Sequence, residues 1–558
     1  MQYINISIKE HSYFNVLKCP LKNGRDIIIK KQKLFKSMGV WVLIGALLTG
    51  CSGAATSDSP AETEGSEAVL EETEENAETE GTAETGEGEE ETGDDESQSK
   101  ASLDEYSVEE AAYESFTAFV DEFYIKSKND DFGYFKQLNF WDQAEIYEIV
   151  IDAYEHTGDE RYYRMIYQMF EGFKKLQGED WSRNEYNDDI MWMTIACARA
   201  YNCTGDQAFL DIAKKHFDLV WDRAYSDDLG GGLFWRTDNQ TKNACINCPA
   251  AIAASLLGDI LDDESYYEKA DQLMDWVVAN IYEEDTGHVY DAYDMEGNIN
   301  EWASTYNQGT FIGANTLLYL HTGDEEYFTR ARRASDYTID EMYQKGVMDN
   351  ENNSGDLVGF KGILVRWMYL FSVNCDQPDI MEWVKLNALT AWSNRNSKGI
   401  VNTTWNTQTE EDTAYILPFA ASTAVSALNN CRDDCETELI ASQYIPAAKF
   451  SRCGKLVITE KNDEDLVLSA LEDGAFLEYS YVNFEEESGK ISLTIGADEK
   501  TTVEVRLGSV NGETIASAEV EGDPSEVTLD IEPVLGVNKV FLVFPNTGEG
   551  IRVSGFNF

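Results

Sequence analysis

The sequence predicts an all-α (α/α)6 toroid followed by an all-β, jelly-roll-like sandwich. Helical periodicity with a recurring Gly-Asp turn runs from about residue 103 to 432, and short alternating strands follow Cys435. At 558 residues and 43% hydrophobic content, the chain can fill more than one core.

Four similar segments divide the helical region into hairpins. Each places a Gly or Asp where one helix ends and an acidic residue where the next begins, which is the usual chemistry of helix caps. The segments are His156-Thr157-Gly158-Asp159, Cys203-Thr204-Gly205-Asp206, Asp262-Asp263-Glu264 and His321-Thr322-Gly323-Asp324. We expect about a dozen helices, starting near Ser107, Trp141, Glu160, Asp188, Gln207, Asn243, Glu264, Asn307, Glu325, Asp356, Pro378 and Asp412. Six hairpins would close into a toroid with buried inner helices, and the loops at one end would form a cleft.

The region from 436 to 558 reads as a separate β domain. Apolar and polar residues alternate over 466–468, 476–479, 491–495, 503–507, 527–531 and 540–544. Turn residues such as Asn511-Gly512 separate these runs, which is the pattern of a β-sandwich.

The first 102 residues predict an exported, anchored protein. A basic stretch precedes the apolar run Met38 to Leu48, and Leu48-Thr49-Gly50-Cys51 follows, as in a bacterial lipoprotein signal within residues 1–51. Cys51 would then carry the lipid. The alternative is an uncleaved membrane anchor, for which the apolar run is short. Residues 52–102 read as a disordered acidic spacer, with 18 acidic residues and no Lys or Arg between 52 and 99.

The net charge and the cysteine spacing limit which substrates and cofactors we expect the chain to bind. The net charge of −60 disfavours nucleic acid and anionic polymers and suits a neutral substrate. We expect a monomer at the extracellular face of the bacterial cell membrane, which it contacts only through the lipid.

No metal or other cofactor is predicted, and no zinc-type Cys/His spacing is convincing. Cys245-Ile246-Asn247-Cys248 could be a redox pair, a structural bridge or two free thiols.

Two adjacent carboxylates precede a buried helix. Asn187-Asp188-Asp189 is followed by the apolar run Ile190 to Met193. Like charge at this distance raises the pKa of one carboxyl, which leaves an acid beside a base, the pair that glycosidic bond cleavage needs. The alternative is that these residues only cap the helix and complement its dipole.

The helical region resembles glycoside hydrolase family 76, the α-1,6-mannanases. Five motifs in order carry the resemblance: Tyr186-Asn187-Asp188-Asp189 with Trp192, Gly231-Gly232-Leu233-Phe234-Trp235, Lys242-Asn243, Ser304-Thr305-Tyr306-Asn307-Gln308-Gly309, and Phe360-Lys361-Gly362 with Arg366. The resemblance implies an (α/α)6 barrel that hydrolyses α-mannan with retention, with Asp188 as the nucleophile and Asp189 as the acid/base. Met193 departs from the family, which usually has a second Trp there.

Eight further residues are predicted substrate contacts. They are Asn187, Trp192, Trp235, Lys242, Asn243, Tyr306, Asn307 and Gln308. Alternatives stay open: the glycines at 230–232 could form only a turn, Trp235 could belong to the core, and Lys242 and Asn243 could cap a helix. For Arg366, fixing a buried carboxylate is the expected role.

The C-terminal domain resembles carbohydrate-binding module family 6. The resemblance rests on Gly474-Ala475-Phe476-Leu477-Glu478-Tyr479, Val482-Asn483-Phe484, Val505-Arg506-Leu507 and the segment from Gly536 to Phe544. Ala441-Ser442-Gln443 and Gly522-Asp523-Pro524 depart from the family's calcium and sugar-stacking positions, so the domain either binds sugar or is a structural appendage. For the whole chain, a non-catalytic glycan-binding lipoprotein and a mannan transglycosylase on the same fold are the alternatives to a hydrolase.

Overall fold

The computed structural model describes Leu103 and residues 106–558, except 345, 346 and 349–354. The described residues belong to one compact unit. The predicted signal region, the acidic spacer and Cys51 lie outside the described residues.

Twelve α-helices occur in the described part of the chain. They are α1 (Val108–Phe123), α2 (Phe140–Thr157), α3 (Glu160–Gln177), α4 (Asn187–Thr204), α5 (Gln207–Ala224), α6 (Ala244–Leu261), α7 (Glu264–Asn280), α8 (Thr305–Thr322), α9 (Glu325–Glu341), α10 (Phe360–Cys375), α11 (Pro378–Ser393) and α12 (Pro418–Asn429).

The even-numbered helices form a closed inner ring. Each of α2, α4, α6, α8 and α10 contacts the next even-numbered helix, and α12 contacts α2. The odd-numbered helices pack outside this ring, each against an inner neighbour. Inner helices such as α4 and α10 are buried on nearly every face, whereas the outer helices bury one side. The predicted (α/α)6 toroid is therefore confirmed.

The predicted turn chemistry also holds. Gly158, Gly205 and Gly323 end inner helices with φ values of 64°, 74° and 68°, where a side chain would be strained. The following aspartates accept hydrogen bonds from backbone N–H groups in the next helix.

Two predicted helix starts are wrong. Asp356 lies in a 3₁₀ turn, Gly355–Gly359, and Asp412 caps another, Thr413–Tyr415. The α-helices begin later, at Phe360 and at Pro418, whose fixed φ suits a first turn.

Within the described residues, one helix is long and apolar enough to cross a membrane. It is α6, which belongs to the inner ring and is largely buried in the toroid. A core helix of this kind satisfies the same test of length and composition.

The strands fall into two groups. Those within the helical region are β1 (Tyr124–Lys126), β2 (Gly133–Phe135), β3 (Thr241–Asn243), β4 (Tyr282–Glu283), β5 (His288–Val289), β6 (Ala292–Asp294), β7 (Ile299–Asn300), β8 (Tyr343–Gln344) and β9 (Val347–Met348). The C-terminal group comprises β10 (Leu439–Ile440), β11 (Ile445–Pro446), β12 (Arg452–Gly454), β13 (Leu456–Lys461), β14 (Leu466–Ala470), β15 (Ala475–Leu507), β16 (Glu513–Phe544) and β17 (Gly548–Asn557).

The C-terminal strands pair in two main layers, as in the predicted all-β sandwich. One layer has the order 513–520, 501–507, 540–544, 475–479 and β12. The other has the order 525–530, 490–497, β17, β14 and β13. Strands β15 and β16 run through both layers, with register shifts where they pass from one to the other.

The β domain packs against the end of the toroid where the inner helices finish. The backbone N–H of Ile458 donates to the carbonyl of Gly158 at 2.9 Å, and that of Lys455 donates to Cys203 at 2.7 Å. The Tyr154 hydroxyl donates to the carbonyl of Leu456 at 2.7 Å. These buried contacts attach β13 and the residue before it to the C-terminal ends of α2 and α4.

A buried charge cluster lies between the inner helices. Four acidic residues on α2 face two arginines, Arg199 on α4 and Arg366 on α10; the acids are Glu145, Glu148, Asp152 and Glu155. Arg366 donates to Asp152 at 2.9 Å and to Glu145 at 2.8 Å, which confirms the expected role of Arg366.

Candidate functional site

The N-terminal ends of the inner helices meet at the toroid end opposite the β domain. Asp188 and Asp189 lie in the first turn of α4, Cys245 in that of α6, Tyr306 in that of α8, and Phe360 begins α10. An inner helix of 18 residues spans about 27 Å, which separates this end from the β domain. Partial positive charge at helix N-termini favours anionic groups there.

The two aspartates contact different partners at the start of α4. The Asn184 amide donates to Asp189 Oδ2 at 2.9 Å, so this side chain turns back toward the segment that precedes the helix. The Cys245 thiol donates to Asp188 Oδ2 at 3.5 Å, so Asp188 faces α6. The N-cap of α4 is Tyr186, with no side-chain cap bond, so neither aspartate caps the helix, although both lie in its first turn, where a carboxylate complements the helix dipole.

Both carboxyls are half-buried, and their environment favours protonation. Burial raises the pKa of Asp188 to about 8, and the neighbouring Asp189 carboxylate adds to the shift. Burial also raises the pKa of Asp189 to about 6, against the opposing hydrogen bond from Asn184. The pair thus holds one proton near neutral pH, as acid/base catalysis requires.

The glycine-rich loop is held by Lys242. Its ammonium group donates to the carbonyls of Ser226 and Asp228 at 2.8 and 2.7 Å and to that of Gly231 at 2.5 Å. At Gly232, with φ of 81°, an added Cβ would lie 2.7 Å from the Trp276 ring. These contacts favour the interpretation of the loop as a tight turn.

The loop delivers Trp235 to the aspartates. The Asn187 backbone N–H donates to the Trp235 carbonyl at 2.8 Å, which ties the loop to the start of α4. The half-buried indole lies 5.6 Å from the Tyr186 ring, and the Arg236 guanidinium lies over both rings. The Trp235 indole N–H is buried and makes no hydrogen bond in the structure. It is nevertheless close enough to Asp188 to lower the pKa of that carboxyl. Trp235 is therefore at the site and not in the core.

Tyr306 forms the facing side of the site. Its ring stacks on Phe360 at 3.8 Å, and its hydroxyl interacts with the Cys245 thiol. Burial raises the pKa of this hydroxyl well above its usual value, so it stays protonated. Asn243 and Asn307 lie in the same helix starts, each with a buried side-chain oxygen that lacks a partner in the structure. Asn243 is the N-cap residue of α6, as the capping alternative has it, but its side chain makes no cap bond.

Five predicted substrate contacts are buried in the framework instead. Asn187, Lys242, Asn307 and Gln308 have 0% exposed surface, and Trp192 has 1%. Asn187 is held by Arg223 and the Phe234 carbonyl.

The surroundings of the other buried residues agree with this correction. The Gln308 side-chain amide accepts a hydrogen bond from the Val289 N–H and donates to the carbonyls of Gly287 and Ala334. Trp192 packs between Trp141 and Tyr306. Met193, where the family has Trp, is also fully buried, so the departure falls in the core.

Some site residues escaped the sequence analysis. Cys245 stood out only as half of a possible redox pair, yet its thiol touches Asp188. Burial also raises the pKa of Asp142 to about 6, with smaller repulsions from Asp356 and Asp189. The pKa of Asp291, which accepts from Asn300 and Asn307, is raised by burial as well. Their only sequence signal is a position in a predicted helix start or in the loop before one.

The profile of Glycosyl hydrolase family 76 matches residues 107–435. Among solved structures, the GH76A α-1,6-mannanase from Salegentibacter sp. HEL1_6 is 31% identical with a TM-score of 0.54, over 58% of this chain and 98% of that one. An inactive variant of that enzyme, with two neighbouring aspartates replaced by asparagine, was solved with α-1,6-mannotriose.

Curated yeast proteins are also similar. Mannan endo-1,6-alpha-mannosidase DFG5 of Saccharomyces cerevisiae is 29% identical over 214 residues, which is 34% of this chain and 46% of that protein. The protein of the same name in Candida albicans is 26% identical over 246 residues, 39% of this chain and 53% of that protein. The chain thus spans about half the length of the curated relatives it matches.

Proposed function

The chain belongs to glycosyl hydrolase family 76, and from this premise we propose that it cleaves α-1,6-linked mannan backbones with retention of configuration. The observation that carries the proposal is the pair Asp188 and Asp189 at the toroid end opposite the β domain, where burial and like charge keep one proton on two neighbouring carboxyls. The inactive Salegentibacter variant, which lacks two neighbouring aspartates and was solved with α-1,6-mannotriose, supports both the pair and the substrate class.

In the first step, the Asp188 carboxylate attacks the anomeric carbon while Asp189 protonates the departing glycosidic oxygen. A glycosyl ester on Asp188 results, and the leaving sugar departs with the proton of Asp189. In the free protein the higher pKa lies on Asp188, which favours the proton there. The first step therefore requires that substrate binding shift this proton to Asp189. The Cys245 thiol and the Trp235 indole N–H both favour the Asp188 anion.

In the second step, Asp189 accepts a proton from water as the water attacks the anomeric carbon of the glycosyl ester. The bond to Asp188 breaks, and the sugar regains its original configuration after two inversions. The half-buried Trp235 ring offers an apolar face to a sugar beside the pair. The neutral polymer suits a chain with a net charge of −60.

The test uses Asp188→Asn and Asp189→Asn on debranched α-1,6-mannan, with Asp211→Asn, an exposed residue of α5, as the matched control. Asp188→Asn should abolish release of mannooligosaccharides, and Asp189→Asn should reduce it by about 10²–10⁴-fold. An aryl mannoside with an activated leaving group should restore the first step in Asp189→Asn only, because that group departs without a proton.

Several outcomes would contradict the proposal. Full activity in either variant removes that residue from the mechanism, and tight mannan binding by the unchanged protein without product indicates a glycan-binding lipoprotein. An inverted first product excludes retention. Products extended by an added acceptor sugar would indicate a transglycosylase.

We also propose that the protein acts as a monomer at the extracellular face of the bacterial cell membrane, anchored through lipid on Cys51. The acidic residues of the spacer repel one another, which favours an extended chain between anchor and enzyme. Replacing Cys51 by Ala should move the protein from the membrane fraction to the soluble fraction.

For the β domain we propose a structural role. Its backbone hydrogen bonds to the ends of α2 and α4 support this role, as does its attachment about 27 Å from the aspartates, one inner-helix length. Binding of mannan by residues 436–558 at the affinity of the whole protein would favour sugar binding instead.

A further inference from the structure

Cys245 is the second residue of α6, and 3% of its surface is exposed. Its sulfur lies 3.5 Å from Asp188 Oδ2, within the range of a thiol hydrogen bond. The Tyr306 hydroxyl, on α8, interacts electrostatically with the same thiol. The thiol therefore lies between the proposed nucleophile and a tyrosine that stacks on Phe360.

The protonation states fix the direction of these contacts. Burial raises the pKa of the Cys245 thiol well above its usual value, and the negative charges of Asp188 and Asp291 add to the shift. The thiol is thus an S–H group and a poor nucleophile. It has one proton, which it donates to Asp188, and the protonated Tyr306 hydroxyl counteracts part of the rise in the thiol pKa.

We propose that Cys245 is a positioning residue that orients the Asp188 carboxyl and stabilises its ionised form. This inference rests on the proposed function, because it assigns Asp188 the role of nucleophile. Within the part of the chain that the structure describes, the charged and titratable groups that act on Asp188 and Cys245 are Asp189, Asp291 and Tyr306, and none of these three is a cation. On the side that faces Cys245, the Asp188 carboxylate is therefore stabilised by weak neutral hydrogen-bond donors.

A thiol suits this role better than a hydroxyl in one respect. An S–H group is a weak donor and sits farther from the oxygen than an O–H group would. It can hold the carboxylate in place while leaving most of its basicity for attack on the anomeric carbon.

The test compares Cys245→Ala, which removes the donor, with Cys245→Ser, which keeps one. Cys248→Ala is the matched control, because Cys248 is fully buried one turn along the same helix and does not contact the pair. We expect Cys245→Ala to lower kcat/KM roughly 10-fold and to move the acidic limb of the pH profile upward, since a hydrogen bond to an ionised group is lost. Cys245→Ser should recover most of the rate, and Cys248→Ala should keep the original pH profile.

A spectroscopic measurement makes the inference independent of turnover. The S–H stretching band of Cys245, assigned by its loss in Cys245→Ser, should shift when Asp188→Asn replaces the acceptor carboxylate. An unshifted band, an unchanged pH profile in Cys245→Ala, or a folded serine variant no better than alanine would overturn the inference. If the unchanged protein released no product but the band shifted, the proposed function would fail while the contact between Cys245 and Asp188 stood.

Discussion

Replacing Arg366 by Met should destabilise the toroid far more than loss of an exposed arginine. The Arg366 side chain is 4% exposed and bridges Asp152 at 2.9 Å and Glu145 at 2.8 Å, whose side chains are 1% and 2% exposed. Removal of one partner from a buried ion pair leaves an uncompensated charge and costs about 3–5 kcal/mol. Arg199, which also bonds to Asp152, remains to neutralise part of the cluster, so we expect the lower half of that range at neutral pH.

The loss should depend on pH. Burial would raise the pKa of Asp152, but Arg366 and Arg199 outweigh it and lower that pKa to about 2. Because this folded-state pKa lies below the unfolded value near 4, ionised Asp152 stabilises the fold above about pH 4, and that contribution is lost as the pH falls toward 2. Without Arg366, burial outweighs Arg199 and should raise the Asp152 pKa above about 5. The variant should then lose more stability at pH 8, where Asp152 is ionised, than at pH 5, where it takes up a proton.

The assay is guanidinium unfolding followed by tryptophan fluorescence at both pH values. The control is Arg164→Met, which removes an arginine whose side chain is 67% exposed and pairs with Glu160 on the outer helix α3. Its loss should cost no more than about 0.5 kcal/mol. If Arg366→Met and the control unfold at the same denaturant concentration, or if the loss at pH 5 equals that at pH 8, the reasoning about the buried cluster is refuted.

Three further predictions concern the site, its loop and the β domain. The pH dependence of kcat/KM should be bell-shaped between about 6 and 8: below the lower value Asp188 and Asp189 are both protonated and the nucleophile is lost, and above the upper value the acid is lost. A flat profile from pH 5 to 9 would contradict the shared proton. Lys242→Met should lower the free energy of unfolding by about 3 kcal/mol, because three carbonyls lose a buried donor. It should also lower activity by displacing Trp235. A stable, fully active variant would show that the loop does not depend on this lysine. Deletion of 436–558 should lower the midpoint of thermal unfolding of the helical region, because the ends of α2 and α4 lose their partners; an unchanged midpoint by circular dichroism would make the domain separable.

The cap signals and the apolar periodicity predicted the toroid because both act locally. A left-handed Gly158 followed by the capping Asp159 ends one helix and starts the next wherever the hairpin lies in the ring. The same local chemistry failed at Asp412, where a capping residue starts only a 3₁₀ turn and Pro418 starts the helix.

The sequence by itself determined the helical hairpins, the β-rich C-terminal region and the two neighbouring aspartates, since each depends on residues close together in the chain. The tertiary structure alone decided which motif residues face the toroid end opposite the β domain. Lys242 and Gln308 look like sugar-binding groups in the sequence, yet backbone carbonyls brought together by folding use their donors. Cys245 carries no such signal, and only the closure of the inner ring brings its thiol to Asp188, 57 residues away in the chain.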